Sequence, residues 1–392
     1  MVDSAPAWER VALEEFLEPG SLTYGIVQPG QHVDAGVPIV RVKDMEGGRV
    51  RTDSPLRVSA DIEAGYQRSR IRQGDVLVSL VGSVGTCAIA GPELVGWNLA
   101  RAVAVVRPKV GVDPRWIVYC LRGPEAQAHI QRVVNTTVQT TLNLRDLKEV
   151  PVPLPLPTEQ LAIADVLGAL DDKIESNRRL QDAAADLLEA EVGAVVHGAS
   201  KEPMNRTLTV EMGSPFSGDM FSSTGSGRPL IRIRDLKSFA PQTWTTEVRE
   251  DEKVVDPGDV LVGMDAEFRS TLWLGSRGVL NQRVCRFRPR RGVGRAFALV
   301  AIRPELAFYE QAKSGTTVIH LNKADIARFQ VPLLDDTAHA QLADRTEPLI
   351  DRWVAAAAES TMLAELRDAL IPELLSGRLR VPVAEELVES AT

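Results

Sequence analysis

Arg41 and Lys43 stand on alternating positions of a β-like run, and Arg232 and Arg234 occupy the matching places in a second run. An arginine so placed can take a guanine edge with two hydrogen bonds or clamp a phosphate. The bland alternative is an ion pair with the neighbouring acids, Asp44 and Asp235. Two further clusters follow a shared Gly-Asp-Val-Leu-Val segment. One loop, Ser79 to Thr86, offers Ser79, Ser83 and Thr86; the other, Gly263 to Ser270, offers Asp265, Glu267 and Arg269. Hydroxyls could donate to bases or phosphates, a carboxylate could accept from cytosine N4, and Arg269 could take guanine. Ordinary turn chemistry is the competing reading for each. Thr136, Thr137, Thr316 and Thr317 add a polar edge shared by both halves.

Bond-making chemistry finds no such support. There is no Gly-x-x-x-x-Gly-Lys-Ser/Thr run, no Gly-x-Gly-x-x-Gly after a strand, and no Asn/Asp-Pro-Pro-aromatic motif. His32, His129, His197, His320 and His339 are scattered, and Cys87, Cys120 and Cys285 have no ligand spacing, so no metal site is expected. Asp235 with Asp251-Glu252-Lys253 could form a nuclease-like carboxylate-lysine cluster, but Glu247 to Lys253 reads better as a solvated loop. The expectation is a chain without catalytic residues and without a cofactor of its own.

The net charge is −8, which is ill suited to a nucleic-acid partner until its distribution is read. Residues 1–156 hold 17 Lys+Arg against 17 Asp+Glu, and residues 201–334 hold 20 against 15. Residues 157–200 hold 3 against 9, and residues 335–392 hold 5 against 12. The acidic excess lies on two segments that carry a different pattern and suit a solvated or protein-binding surface. Hydrophobic residues make up 44%, ordinary for a chain that buries a core. No apolar run is long enough to span a membrane, and Met1-Val-Asp-Ser-Ala has no basic start. Isolated cysteines suit a reducing compartment, so a cytoplasmic location is expected.

The elements that would position these residues repeat. Gly36 to Asp44 recurs as Gly227 to Asp235, Gly74 to Val78 as Gly258 to Val262, and Arg107-Pro108 as Arg288-Pro289. Thr136-Thr-Val with Leu142-Asn143 recurs as Thr316-Thr-Val with Leu321-Asn322, and Val152-Pro153 as Val331-Pro332. Five blocks in one order mark a degenerate internal repeat whose connecting loops differ in length. After each copy comes a long helical pattern. Ile163, Leu167, Leu170 and Ile174 begin one a/d seam; Leu342, Leu349, Trp353 and Leu363 lie on the other. Asn177 falls within the first seam and reads as a register-setting polar residue. The expected fold is α+β: two α/β domains separated by two long antiparallel, coiled-coil-like helices, related by a pseudo-twofold repeat. The expected divisions are 1–156, a helix over 157–200, a second domain over 201–334, a helix over 335–380 and a flexible tail over 381–392. Within the domains, short helices are expected over Trp8 to Glu18, Pro114 to Gln131 and Phe297 to Ala312, and a strand over Pro38 to Val42.

These blocks, and above all Pro155-Leu-Pro-Thr-Glu-Gln-Leu-Ala-Ile-Ala-Asp-Val-Leu-Gly-Ala-Leu-Asp-Asp-Lys-Ile-Glu-Ser-Asn-Arg-Arg179, resemble the specificity (S) subunit of Type I restriction-modification enzymes. The second helical start, Asp335 to Gln341, departs from the family's pattern by lacking the Glu-Gln pair. The resemblance implies two target-recognition domains, each reading half of a bipartite site on double-stranded DNA. It implies helices that space the domains and dock two methyltransferase subunits, with restriction subunits in the full complex. S-adenosylmethionine and ATP would belong to those partners. The alternatives are a non-catalytic coiled-coil scaffold and the specificity subunit of a related modification-only or phage-defence system.

Overall fold

A computed structural model of the chain describes residues 8–134, 140–313 and 319–391. They fall into two units, Met1–Asp172 with Leu363–Thr392, and Lys173–Met362. The division cuts both long helices, so each unit owns a domain of sheets and short helices and a stretch of each long helix.

In the first unit, runs of Val and Leu too apolar to face water form the central antiparallel sheet, Thr23–Tyr24, Val103–Val106, Val76–Ser79 and Cys87–Ile89 in that order. Every residue of Val76–Ser79 and Val103–Val106 is buried, so these two strands are covered on both faces. A smaller sheet places Val37–Val40 between Leu56–Val58 and a parallel partner, Asn98–Leu99. The second unit repeats this plan. Leu208–Met212, Val284–Pro289, Val260–Gly263 and Ser270–Leu272 form the central sheet, and Arg228–Ile231 again takes a parallel partner, Gly278–Leu280. The repeat seen in the sequence is therefore a repeat of strand order and direction.

The shared Gly-Asp-Val-Leu-Val segment shows why. Gly74 and Gly258 sit at φ +82° and +91°, a left-handed conformation that a side chain resists. The following aspartate then ties the turn: Asp75 Oδ2 accepts from Arg72 N at 2.8 Å, and Asp259 Oδ2 from Asp256 N at 2.9 Å. Each acid also takes a buried arginine. Arg107 donates to Asp75 through Nε and Nη2 at 2.8 and 2.9 Å. Asp259 takes Arg286 Nη1 at 2.7 Å, and Arg286 also pairs with Glu211.

Several expected elements are corrected. Trp8 to Glu18 is not helical: Arg10–Ala12 pairs with Pro151–Pro153 as a strand, and Leu13–Phe16 is a single 3-10 turn. The strand expected over Pro38 to Val42 ends at Val40, because Arg41 caps a 3-10 turn, Val42–Asp44. Gly123-Pro124 divides the expected helix at 114–131 into Pro114–Arg122 and Pro124–Val133, since proline has no N–H to continue one helix but suits the first turn of the next. The second unit divides likewise into Arg295–Ala301 and Arg303–Lys313. Residues 381–391, expected as a flexible tail, form a helix with Pro382 in its first turn. Ala384 and Val388, four residues apart, are its buried stripe, and Arg380 just before it lies 5.2 Å over the Trp8 ring.

The long helices are Pro157–Val196 and Asp336–Ser376. Within the first unit Asp171 meets Arg367 at 2.6 Å, and Glu159 meets Arg380, just past the end of the second long helix, at 3.2 Å. Within the second, Lys173 meets Glu359 at 3.3 Å and Glu191 meets Arg345 at 2.9 Å. One number rises as the other falls, so the segments are antiparallel in each unit. Ile163, Leu167, Leu170, Leu342 and Leu363 are at most 2% exposed, as an a/d seam requires. Ile174, Leu349 and Trp353 are only half-buried. Leu349 and Trp353 pack against the core of the second unit, so its domain as well as the facing helix covers them.

His339, in the first turns of the second long helix, is buried edge-on against Phe297 with ring centroids 4.7 Å apart. Neither ring nitrogen has a partner, and burial holds its pKa below the ordinary 6.5, against the pull of Glu202, Asp336 and Asp335. Below that pH the unfolded chain binds a proton that the folded chain refuses, so stability is present above it and is lost as pH falls. Replacing His339 with leucine should remove that component. Melting temperatures of the two proteins from pH 8 to pH 5 should diverge on the acid side, and parallel curves would count against it.

Among the described residues no helix is long and apolar enough to cross a membrane.

Candidate nucleic-acid interface

In the second unit the loop after Val260–Gly263 is held open by charge. Asp265 Oδ1 lies 2.7 Å from His320 Nδ1, across an antiparallel bridge between the two residues. Arg283 approaches both, with Nε 3.6 Å from Asp265 Oδ2 and Nη1 3.3 Å from His320 Nδ1. Glu267 takes Lys237 Nζ at 2.8 Å and Arg269 Nη2 at 2.9 Å. The hydrogen bond from Lys237, with the charge of Arg269, holds the Glu267 carboxyl below its usual range. The Lys237 and Arg269 side chains are each 78% exposed, so their ammonium and guanidinium groups face solvent. The loop's base is anchored elsewhere: Phe268 is buried, and its N–H donates to Glu310 at 3.1 Å.

The turn bearing Arg232 and Arg234 joins this surface. Ile233 Cγ2 would come within 3.3 Å of a Cβ built on Gly263. Arg234 is exposed and Arg232 half-buried. Asp235 is 1% exposed and accepts the Arg232 N–H at 2.9 Å, while its Oδ1 is buried without a partner. Burial raises its pKa against the backbone donors Arg232 and Gln242.

In the first unit the matching residues are differently committed. Arg41 spends its guanidinium on Asp44, with Nε to Oδ2 at 2.7 Å and Nη2 to Oδ1 at 2.8 Å. The ion-pair alternative therefore describes Arg41, whereas Arg232 donates to its acid only through the backbone. Lys43 is exposed. Ser79 is corrected as an interface residue: it is fully buried, donates to Ser83 O and accepts from Thr86 N at 3.0 Å. Thr86 Oγ1 donates to Ser83 O at 2.9 Å, so its hydroxyl hydrogen also belongs to the turn. Ser83 is exposed. Thr136, Thr137, Thr316 and Thr317 lie outside the described residues.

Sequence reasoning overlooked Lys237, Arg283 and His320, together with Thr141, the first-unit counterpart of His320, and Arg101, which lies next to Ala102, the counterpart of Arg283. A signal was available. Thr141 and His320 immediately precede the matched Leu142-Asn143 and Leu321-Asn322. The bridge Val81–Thr141 occupies the place of Asp265–His320. At one topological position the first unit thus offers an apolar residue and a hydroxyl, and the second a carboxylate and an imidazole. Two acids of the suspected nuclease cluster are spent on local pairs: Glu252 on Arg228, and Asp251 on Arg249 at 2.9 Å.

Residues 8–184 match the family described as Type I restriction modification DNA specificity domain. Over 173 residues the chain is 35% identical to the Type I restriction enzyme EcoBI specificity subunit of Escherichia coli, a match covering 43% of this chain and 36% of that protein. It is 20% identical over 353 residues to the Type I restriction enzyme MjaIX specificity subunit of Methanocaldococcus jannaschii, covering 79% of this chain and 78% of that one. Its fold is similar to the crystal structure of a Type-I restriction-modification system S subunit from M. genitalium, with a TM-score of 0.58 and 12% identity, covering 95% of this chain and 97% of that chain.

Proposed function

We propose that the chain is a Type I restriction-modification specificity subunit, on the match of residues 8–184 to that family's DNA specificity domain, and that each of its units reads one half of a split double-stranded DNA target. The observation that carries this is the one topological position filled by different chemistry: Val81 with Thr141 in one unit, Asp265 with His320 in the other. Two readers of one design with unlike side chains suit two unlike half-sites. Lys237, Arg269, Arg234 and Arg283 supply cations for phosphates and guanine, and Asp265 or Glu267 can accept from cytosine. In the first unit Lys43, Ser83 and Arg101 are the exposed polar groups on the matching elements. The chain's part is recognition. Methyl transfer belongs to two methyltransferase subunits docked on the acidic helices, and cleavage to restriction subunits where the complex has them. Such an assembly works in the cytoplasm.

Methylome sequencing of a host with and without the gene should show a motif of two short blocks around an unspecified gap that depends on the gene. Replacing Arg269 with alanine should relax one block by about 1–3 kcal/mol of discrimination and leave the other intact. Equal relaxation of both blocks, or no motif at all, favours a scaffold role.

A further inference from the structure

Each recognition domain is fastened to the long helix that follows it by an arginine at the same place. Arg115 and Arg295 are the second and first residues of the equivalent helices Pro114–Arg122 and Arg295–Ala301. Arg115 is held by its own N-cap, Asp113, and reaches Asp165 of the first long helix, Nη2 to Oδ1, at 2.7 Å. Arg295 reaches the second long helix twice, with Nε to Glu347 Oε2 at 2.6 Å and Nη2 to Asp351 Oδ1 at 2.5 Å. Its backbone N–H also donates to Glu347 Oε1 at 2.5 Å.

The helices are shaped for these arginines in opposite ways. Gly168 lies inside the first long helix, where glycine costs about 1 kcal/mol relative to alanine. A Cβ there would come within 2.7 Å of Arg115 Nη1, so the missing side chain is the slot through which Arg115 crosses the helix. Gly168 and Glu347 are separated by 179 residues, the offset of Leu142-Asn143 and Leu321-Asn322, so they are counterparts in the repeat. One helix leaves a gap for its arginine; the other fills that place with the acid that grips it. The same clamp is built from unlike residues.

We infer that Arg115 and Arg295 are positioning residues for DNA recognition, fixing the tilt of each reading domain on its helix and hence where along the duplex that domain meets its half-site. This rests on the functional reading above. Neither arginine need touch DNA. Their ion pairs are charge-assisted and partly shielded from water, and a loop must be held to a fraction of an ångström to read base edges.

The test uses the chain assembled with its methyltransferase subunits on three duplexes, with the native gap, one base pair shorter and one longer. Arg295→Gln should lower the preference in kcat/KM for the native gap over the altered gaps by about tenfold, with the change in KM and not in kcat. Arg295→Lys should keep part of the preference. The reversed pair, Arg295→Glu with Glu347→Arg, should recover more than either single change. Arg115→Gln should act likewise, and Gly168→Ala should loosen the gap although it favours the helix. Should Arg295→Gln fail to fold, Glu347→Gln loosens the clamp while keeping the arginine. An unchanged gap preference in both arginine variants, or a loss of methylation by the same factor on all three duplexes, overturns the inference. A wild-type complex that methylates no split target overturns the functional reading, and the inference with it.

Discussion

Replacing Asp75 with alanine should destabilise the first unit by about 3–5 kcal/mol, the cost of leaving a buried charge without its partner. The Arg107 side chain is 8% exposed and gives Asp75 two hydrogen bonds, and Asp75 also closes the turn before its strand through Arg72 N. Among the described residues no other acid is paired with that guanidinium. The second unit supplies the control. Asp259 shares Arg286 with Glu211, so Asp259→Ala leaves Arg286 one carboxylate and should cost distinctly less. Hydrogen exchange read separately in each unit would measure both, because a chain of two units need not unfold in one step. A loss under about 1 kcal/mol for Asp75→Ala would mean that water reaches Arg107 once the acid is gone.

Trp116→Ala should cost about 3–5 kcal/mol, the usual range for a fully buried large aromatic. Trp116 is 0% exposed and opens a run of six buried residues, Trp116 to Leu121, in a helix capped by the Asp113 side chain. Trp353→Ala should cost less, because that ring is half-buried at the edge of the second unit's core. The Nε1 atoms of both rings are buried without a partner, so the difference in ring burial sets the ranking. Denaturant midpoints of the two variants rank them directly. The reverse order would put the Trp353 ring deeper in the seam than its exposure indicates.

Sequence alone reveals the repeat because its blocks are the segments under the strictest backbone demands: a left-handed glycine, an acid that closes a turn, and valines buried on both faces. Long-helix positions such as Leu167 and Leu170 are equally plain, since apolar residues spaced alternately by four and three fall on one face of a helix and on neither face of a strand. What stays hidden depends on partners far along the chain. Arg10–Ala12 is a strand only because Pro151–Pro153 lies beside it. Ser79 is a polar residue at the start of a loop in sequence, yet the turn below draws its hydroxyl inward. Arg41 and Arg232 look alike in sequence, but a bidentate grip on Asp44 occupies one and not the other. The Arg115 clamp gave no local sign beyond a glycine in an otherwise good helix.

Asn177 is 3% exposed and donates to Glu359 Oε2 at 2.6 Å, and Glu359 also meets Lys173. Its counterpart in the repeat, Ala356, is apolar. A chain that carries two similar domains and two similar helices invites errors of assembly: a helix can slide by a heptad or pair with the wrong half, and leucines alone would tolerate either mistake. A single amide that must find a single carboxylate turns each of those mistakes into a buried polar group without a partner. A pair of this kind penalises wrong alignments more than it strengthens the right one.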